Sequence, residues 1–376
     1  MKRITPFAII FCLIFSACNS GREQKQNEKQ ETHPLDSFFI KKEELNLSFK
    51  YPEPERKLSY NNYKGDYQHW KNEVFEKFKE LIAYEPHGKT KITELRSIVF
   101  EGISYHALVM EVSPQLSIPA YLLIPENGET KGAVMSIHGH GFVESTIGLY
   151  DDYHHRYALE LAKDGYMVLC PELRGFSTLG DLSNNIDLDN LDYWVIHGRQ
   201  FTLITEGFQH GKTVIGETIA DLVAWENWWT EAYNVEKFDV AGISYGGDLA
   251  LYYPVFSNRV DKIFSSGSLG SFKGIFATSY NAPAHCIPGI LKWMDRSDIA
   301  GLNAPRPILL HYGELDTPSH DNHSASYNKT VEPAIKELKE IYSNVGAEDK
   351  VILKVTPNSY HEMDNDLLKA FLSENY

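Results

Sequence analysis

At 376 residues with 43% hydrophobic content, the chain can bury the core of one large domain or two ordinary ones, which excludes a disordered or fibrous protein. Its 36 lysines and arginines face 51 aspartates and glutamates, a formal charge of -15 that repels phosphate backbones and argues against nucleic acid as a partner. The acidity serves solubility and carries no information about fold.

The N-terminus reads as an address. Lys2 and Arg3 precede "FAIIFCLIF", residues 7–15, an apolar run shorter than the ~20 residues a membrane-spanning helix needs. Ser16 and Ala17 then lead into Cys18, a pattern that resembles the lipobox of bacterial lipoproteins, with Phe15 where an aliphatic residue is usual. The resemblance implies a signal peptide over residues 1–17, cleavage before Cys18 and acylation of its thiol. The product would be an exported lipoprotein of the cell envelope, held to a membrane through that anchor. Residues 18–34 are polar and cannot bury a core, so they read as a tether.

Cys12 and Cys18 belong to the address, which leaves Cys170 and Cys286, read as single buried thiols rather than a bridged pair. No CxxC or HExxH spacing occurs, and His320 and His323 in "SHDNH" read as a solvated loop, so neither a metal nor a cofactor is expected.

Residues 35–117 are expected to form an N-terminal extension ahead of a main domain over residues 118–376. In the extension, Trp70, Val74, Phe75, Phe78 and Leu81 fall on one face at helical spacing, and Pro86 ends the pattern. "SIVFEGISYHALVMEV" and "IPAYLLIPENG" alternate as antiparallel strands. The buried runs "GAVMSIHG", "YMVLCPEL", "FDVAGIS", "KIFSSGS", "PRPILLHYG" and "VILKVTP" follow, with helices expected over residues 153–163, 212–232, 247–255 and 331–342 and after His361. Strands alternating with helices specify an α/β fold, a mostly parallel sheet with helices on both faces. Trp225, Trp228 and Trp229 lie in one of these helices and read as packing residues.

The sharpest motif is Gly242-Ile243-Ser244-Tyr245-Gly246-Gly247, in which an apolar strand ends in a serine surrounded by glycines. G-x-S-x-G between a buried strand and a helix is a nucleophile elbow, a turn so tight that neighbouring side chains must be absent. Ser244 is therefore the candidate nucleophile. A serine hydroxyl needs a base to take its proton, and the base needs a third group to hold its tautomer. Asp316 after "PRPILLHYG" and His361 after "VILKVTP" occur in the required order, each just past a strand end, where open α/β sheets assemble their sites. Glu314 is the competing acid, and His320 or His323 the competing base. Donors for an oxyanion are expected from the backbone N–H groups of His140, in the glycine-laced turn "SIHGHGF", and of Tyr245.

Together "HGHG", "GISYGG", "APRPILLHYGELD" and "YHE" resemble the oxyanion loop, elbow, acid loop and histidine loop of the α/β-hydrolases. "PELRGFSTLGD" and "AHCIPGILKWMDRSDIAGLNAPRPILL" are similar to the dienelactone-hydrolase-like and acetyl xylan esterase-like branch of secreted bacterial enzymes. Dienelactone hydrolase has a cysteine where this chain has Ser244, and Phe176 stands where acetyl xylan esterases follow their arginine-glycine pair with glutamine. The resemblance implies a cofactor-free serine carboxylesterase acting on short esters, acetyl above all, with a small-molecule or saccharide alcohol. "GISYGG" is also similar to the elbow of prolyl-oligopeptidase-type peptidases. Residues 35–117 are too few for their β-propeller, which needs at least four blades of about 40 residues. A catalytically inactive binding lipoprotein is the third reading, although no triad member or oxyanion glycine is missing.

Residues 176–210 form a long polar and aromatic insert and the expected lid. Within it Tyr193, Trp194 and Phe201 are candidates to stack on a sugar ring. Arg174 is a candidate substrate contact, or else a pin between loops.

Overall fold

Apolar runs bounded by turn residues become nine strands of one sheet in a computed structural model of the chain, which describes residues 38–126, 128, 130–182, 203–275, 283–316 and 327–374. Cys18, Tyr193, Trp194, Phe201, His320 and His323 lie outside the described residues. The described residues up to Glu53 and those from Pro54 on are separate compact units. Among its described residues, the first has a 3-10 turn at Lys42–Glu44 followed by extended chain whose Leu45, Leu47, Phe49 and Tyr51 are exposed.

The second unit holds the sheet, ordered β1-β2-β3-β5-β4-β6-β7-β8-β9. Three antiparallel strands lead in: β1 (Lys91–Phe100), β2 (Ile103–Ser113) and β3 (Leu116–Pro125). Glu101 and Gly102 join the first two, both at positive φ (50° and 77°), the hairpin turn whose twist suits the flanking strands. β3 pairs antiparallel with β5 (Tyr166–Pro171). From there the sheet is parallel through β4 (Gly132–Ile137), β6 (Phe238–Ile243), β7 (Val260–Ser266), β8 (Ile308–Gly313) and β9 (Val351–Thr356). β4 through β8 are nearly continuous buried runs because helices cover both of their faces. This is the expected α/β architecture.

One face carries α1 (Tyr67–Leu81), α3 (Val214–Ala232), α4 (Tyr245–Tyr252), α5 (Arg296–Gly301) and α6 (Tyr327–Ser343). The other carries α2 (Tyr157–Lys163) and α7 (Asn365–Ser373). In α1, Asp66 caps the first turn by accepting from the His69 amide at 3.0 Å, and Trp70, Val74 and Phe78 form the buried stripe. Trp225 and Trp229 of α3 are fully buried in the same core.

Three expectations need correction. The boundary at Ile118 does not separate an extension from a domain, because β1 and β2 belong to the same sheet as β3 and the division between units falls at Glu53. The helix expected from residue 153 begins only at Tyr157, since His155 and Arg156 are left-handed (φ 49° and 52°) and cannot continue a right-handed helix. The helix after the elbow starts at Tyr245 and gives way at Tyr253 to a 3-10 turn containing Pro254.

Trp70 is fully buried and donates its indole N–H to the Leu58 carbonyl at 2.8 Å. Trp70→Ala removes a large core side chain and leaves that carbonyl without its donor. A loss of about 3–5 kcal/mol is expected, read as a lower urea midpoint with an unchanged slope.

Candidate active site

The chain leaves β6 at Ile243, reverses at Ser244 and enters α4 at Tyr245. Ser244 has φ 58° and ψ -123°, a conformation that a residue with a side chain adopts only under constraint. The constraint is close packing. A Cβ on Gly242 would meet the Gly246 carbonyl, and one on Gly246 would meet the carbonyls of Ile137 and His138 at the end of β4. The Ser244 amide donates to the Ser266 carbonyl of β7 at 2.9 Å, so the turn is tied to strands on both sides. Tyr245 is the first residue of α4, and its amide has no intrahelical acceptor. It therefore points where the helix dipole favours negative charge.

The structure brings Asp316 and His361 together. His361 Nδ1 lies 2.8 Å from Asp316 Oδ2, with the carboxylate buried. Their loops are laced together past β8 and β9: the Leu315 amide donates to Ser359 at 2.8 Å and the Glu314 amide to Thr356 at 3.0 Å. Glu314 accepts from the Asn358 amide at 3.0 Å, so it shapes the histidine loop while Asp316 faces the imidazole. Gly267, one residue beyond the Ser266 that holds Ser244, lies directly under this pair, since a Cβ there would strike His361 and come within 3.4 Å of Asp316 Oδ2. Ser244, Asp316 and His361 are thus gathered at one end of the parallel strands. With Nδ1 turned to Asp316, Nε2 is the ring nitrogen on the side away from that carboxylate.

The turn after β4 brings His140 to the same place. Its ring lies 5.6 Å from Tyr245, 5.3 Å from Phe176 and 5.9 Å from His285. Burial is the main cause that holds both His140 and His138 down to about 3, so the two imidazoles are neutral at ordinary pH. His138 shows its tautomer: Nδ1 donates to the Gly139 carbonyl at 2.8 Å, while Nε2 accepts from the Leu173 amide at 3.1 Å. Neither histidine belongs to a metal cluster, and among the described residues no group of His, Cys, Asp and Glu is arranged to hold a metal ion. Cys170 and Cys286 are both free.

Arg174 needs correction as a substrate contact. Its guanidinium donates to Asp221 through Nε at 2.7 Å and Nη2 at 3.0 Å, and to Glu217 through Nη1 at 2.9 Å. A fork filled by two carboxylates of α3 fixes the loop after β5 and has little left to offer a ligand. Residues missed at the sequence level are Tyr153, His154, His285 and Asp248. Asp248, one turn beyond the elbow, lies buried against Arg296 and 2.5 Å from His285. Only the density of "DDYHHR" in titratable side chains hinted at the first two.

Glu172 holds the turn that carries Phe176 to the site, accepting from Thr178 Oγ1 and the Leu179 amide at 2.7 Å each. Burial raises its carboxyl from 4.5 to about 7. The native state therefore binds this proton more tightly than the unfolded chain. The stability it contributes is fully present below about pH 4.5 and is lost as pH rises through about 7. Glu172→Gln keeps an acceptor for Thr178 and Leu179 but cannot ionise. Variant and wild type should be similarly stable near pH 4.5 and diverge to about 2–3 kcal/mol in favour of glutamine at pH 8. Urea denaturation across that range reads the gap, and a gap independent of pH would exclude ionisation as its origin.

No protein-family model matches the sequence, and no curated protein matches it. Solved structures do. A candidate acetyl xylan esterase from Bacteroides fragilis superposes with a TM-score of 0.59 at 18% identity, covering 77% of this chain and 75% of that one. A glucuronoyl esterase from Solibacter usitatus gives 0.56 at 11% identity over 86% and 97% of the two chains. A carbohydrate esterase family 15 glucuronoyl esterase from Caldicellulosiruptor kristjansonii gives 0.53 at 15% identity over 86% and 90%. With the strand order and the strained serine between β6 and α4, these likenesses establish that the chain has the α/β-hydrolase fold.

Proposed function

We propose that the chain is a serine carboxylesterase that cleaves short acyl esters, acetyl above all, carried on saccharides. The observation behind this reading is the elbow serine at φ 58°, at the same end of the parallel strands as an imidazole whose Nδ1 lies 2.8 Å from a buried aspartate. His361 Nε2 takes the Ser244 proton as Oγ attacks the acyl carbon. The tetrahedral oxyanion receives the backbone N–H groups of Tyr245 and His140, which act where the charge develops. Collapse expels the alcohol with the proton from His361, and water repeats the sequence on the acyl-enzyme. Asp316 holds the imidazole in the required tautomer and steadies its charged form.

A small acyl group is supported by the wall of rings around the oxyanion turn, where His140, Phe176, Tyr245 and His285 stand with centroids 5.0 to 6.0 Å apart. The saccharide part of the reading draws on the names of the structural neighbours and on the polar, aromatic insert.

A series of 4-nitrophenyl esters tests the reading. kcat/KM should fall once the acyl chain exceeds two to four carbons, whereas a steady rise at ~0.8 kcal/mol per methylene would indicate an apolar acyl tunnel and defeat it. Ser244→Ala and His361→Ala should lose at least about a thousandfold in kcat, and Asp316→Asn about as much, because the amide leaves His361 in the wrong tautomer. Turnover within tenfold of wild type in Ser244→Ala would remove the nucleophile assignment.

We also propose that Cys18 is acylated, on the strength of the apolar run, the small residues and the polar tether that succeed one another. Expression of the full chain in a bacterium fed labelled palmitate should give a labelled, membrane-bound product. Cys18→Ser should give neither, and equal labelling of both would end the proposal.

A further inference from the structure

We propose that residues 151–156 form a positioning loop for the reaction, in which Tyr153 couples the oxyanion turn to the general base and His154 fixes the turn's first peptide. The proposal rests on the serine-esterase reading and assigns roles to residues outside the triad.

Three successive peptide groups in the turn after β4 are each held by a different side chain. The Gly139 amide donates to His154 Nε2 at 2.9 Å. The Gly139 carbonyl accepts from His138 Nδ1 at 2.8 Å. The His140 carbonyl accepts from the Tyr153 hydroxyl at 2.5 Å. The middle peptide contains the His140 N–H. In a trans peptide N–H and C=O point in opposite directions, so fixing the Gly139 carbonyl aims the His140 N–H. With the peptides on either side also held, that donor cannot rotate away as charge develops, which is the preorganisation an oxyanion site requires.

The same loop reaches the base. The Tyr153 ring is stacked on the His361 ring at 5.7 Å and 28°, and its carbonyl accepts from the Met363 amide at 2.9 Å. His155 Nε2 lies 3.0 Å from Glu362, next to His361, and the His155 carbonyl accepts from Asn365 Nδ2 at 2.8 Å. Gly139 closes the arrangement, since a Cβ there would strike the Tyr153 hydroxyl and come within 3.0 Å of Ser244 Cβ. Tyr153 thus touches the base and the oxyanion turn together, with Gly139 alone between its hydroxyl and Ser244.

Two further features mark the loop as built for this. His155 and Arg156 are consecutive left-handed residues, φ 49° and 52°, a strained geometry maintained where side chains must be aimed. His154 has one defined tautomer: Nε2 accepts, so Nδ1 carries the proton, facing Asp152 Oδ1 at 2.7 Å.

The test compares Tyr153→Phe, Tyr153→Ala, His154→Gln and His154→Leu with wild type in the full chain. Readouts are hydrolysis of 4-nitrophenyl acetate, affinity for a trifluoromethyl ketone that forms a hemiketal oxyanion on serine, and thermal midpoint. Tyr153→Phe keeps the ring and loses the hydroxyl. It should lower kcat tenfold or more with KM within twofold, weaken the ketone in parallel with kcat/KM, and leave the thermal midpoint unchanged. Tyr153→Ala should in addition displace the pH midpoint of kcat, because the stacking on His361 is lost. His154→Gln retains an acceptor for the Gly139 amide and should keep at least ten times the kcat of His154→Leu.

Tyr153→Phe with wild-type kcat and ketone affinity would overturn the proposal, as would a loss of activity that tracked only the thermal midpoint. Failure of the esterase reading itself looks different: wild type would not be labelled at Ser244 by a fluorophosphonate, or Ser244→Ala would remain active.

Discussion

Everything at the site depends on how closely the backbone after β6 approaches the end of β4. Gly242 and Gly246 allow main chain to lie on main chain, Gly246 against the Ile137 and His138 carbonyls. That contact, with the bond from Ser244 to Ser266, forces the serine into its strained conformation and raises it above the sheet edge. The same approach sets the first amide of α4 beside the turn that carries His140. The proposed nucleophile and both proposed oxyanion donors therefore derive from one packing constraint.

Around that constraint the molecule uses neutral histidines as precise hydrogen-bonding groups. His138 and His154 each donate at Nδ1 and accept at Nε2, a division of labour that only the uncharged ring can perform. Burial is what keeps them uncharged, driving His138 down to about 3 and lowering His154 despite the pull of Asp152. His361 is treated differently. It is paired with a buried carboxylate, the arrangement that steadies an imidazole when it takes up a proton. Local environment thus separates structural histidines from the one suited to proton transfer.

Charged side chains next to the site serve the scaffold. Arg174 locks the loop after β5 to α3 through Asp221 and Glu217, and His87 comes to Asp221 from before β1 at 2.6 Å. Beneath the elbow, Asp248 joins α4 to Arg296 of α5 and to His285. Buried ion pairs of this kind add little net stability compared with apolar packing, but they admit one arrangement of the elements they join. Glu172 serves the scaffold without an ion partner, holding the turn that presents Phe176 through hydrogen bonds from Thr178 and Leu179.

Much of this was legible in the chain by itself. Periodicity identified β4 to β8, because strands covered on both faces must be continuously apolar, and also β9, although that strand is mostly exposed; it merged the end of β1 with β2 into one run. Ser244 was legible because only a tight strand-to-helix turn demands glycine on both sides of a serine. Asp316 and His361 followed from their places after strand ends, where loops of a parallel sheet converge. The limits have equally physical causes. A pattern of types cannot say which of two carboxylates two residues apart will face an imidazole, and the lacing of the β8 and β9 loops decided for Asp316 over Glu314. It cannot show that β1 and β2 join the main sheet, since strand pairing is a long-range choice. Nor could it assign Arg174 to Asp221, or Tyr153 and His154 to the oxyanion turn. Those pairings join residues far apart in sequence or across a turn of irregular backbone, and only the folded chain brings their atoms within bonding distance.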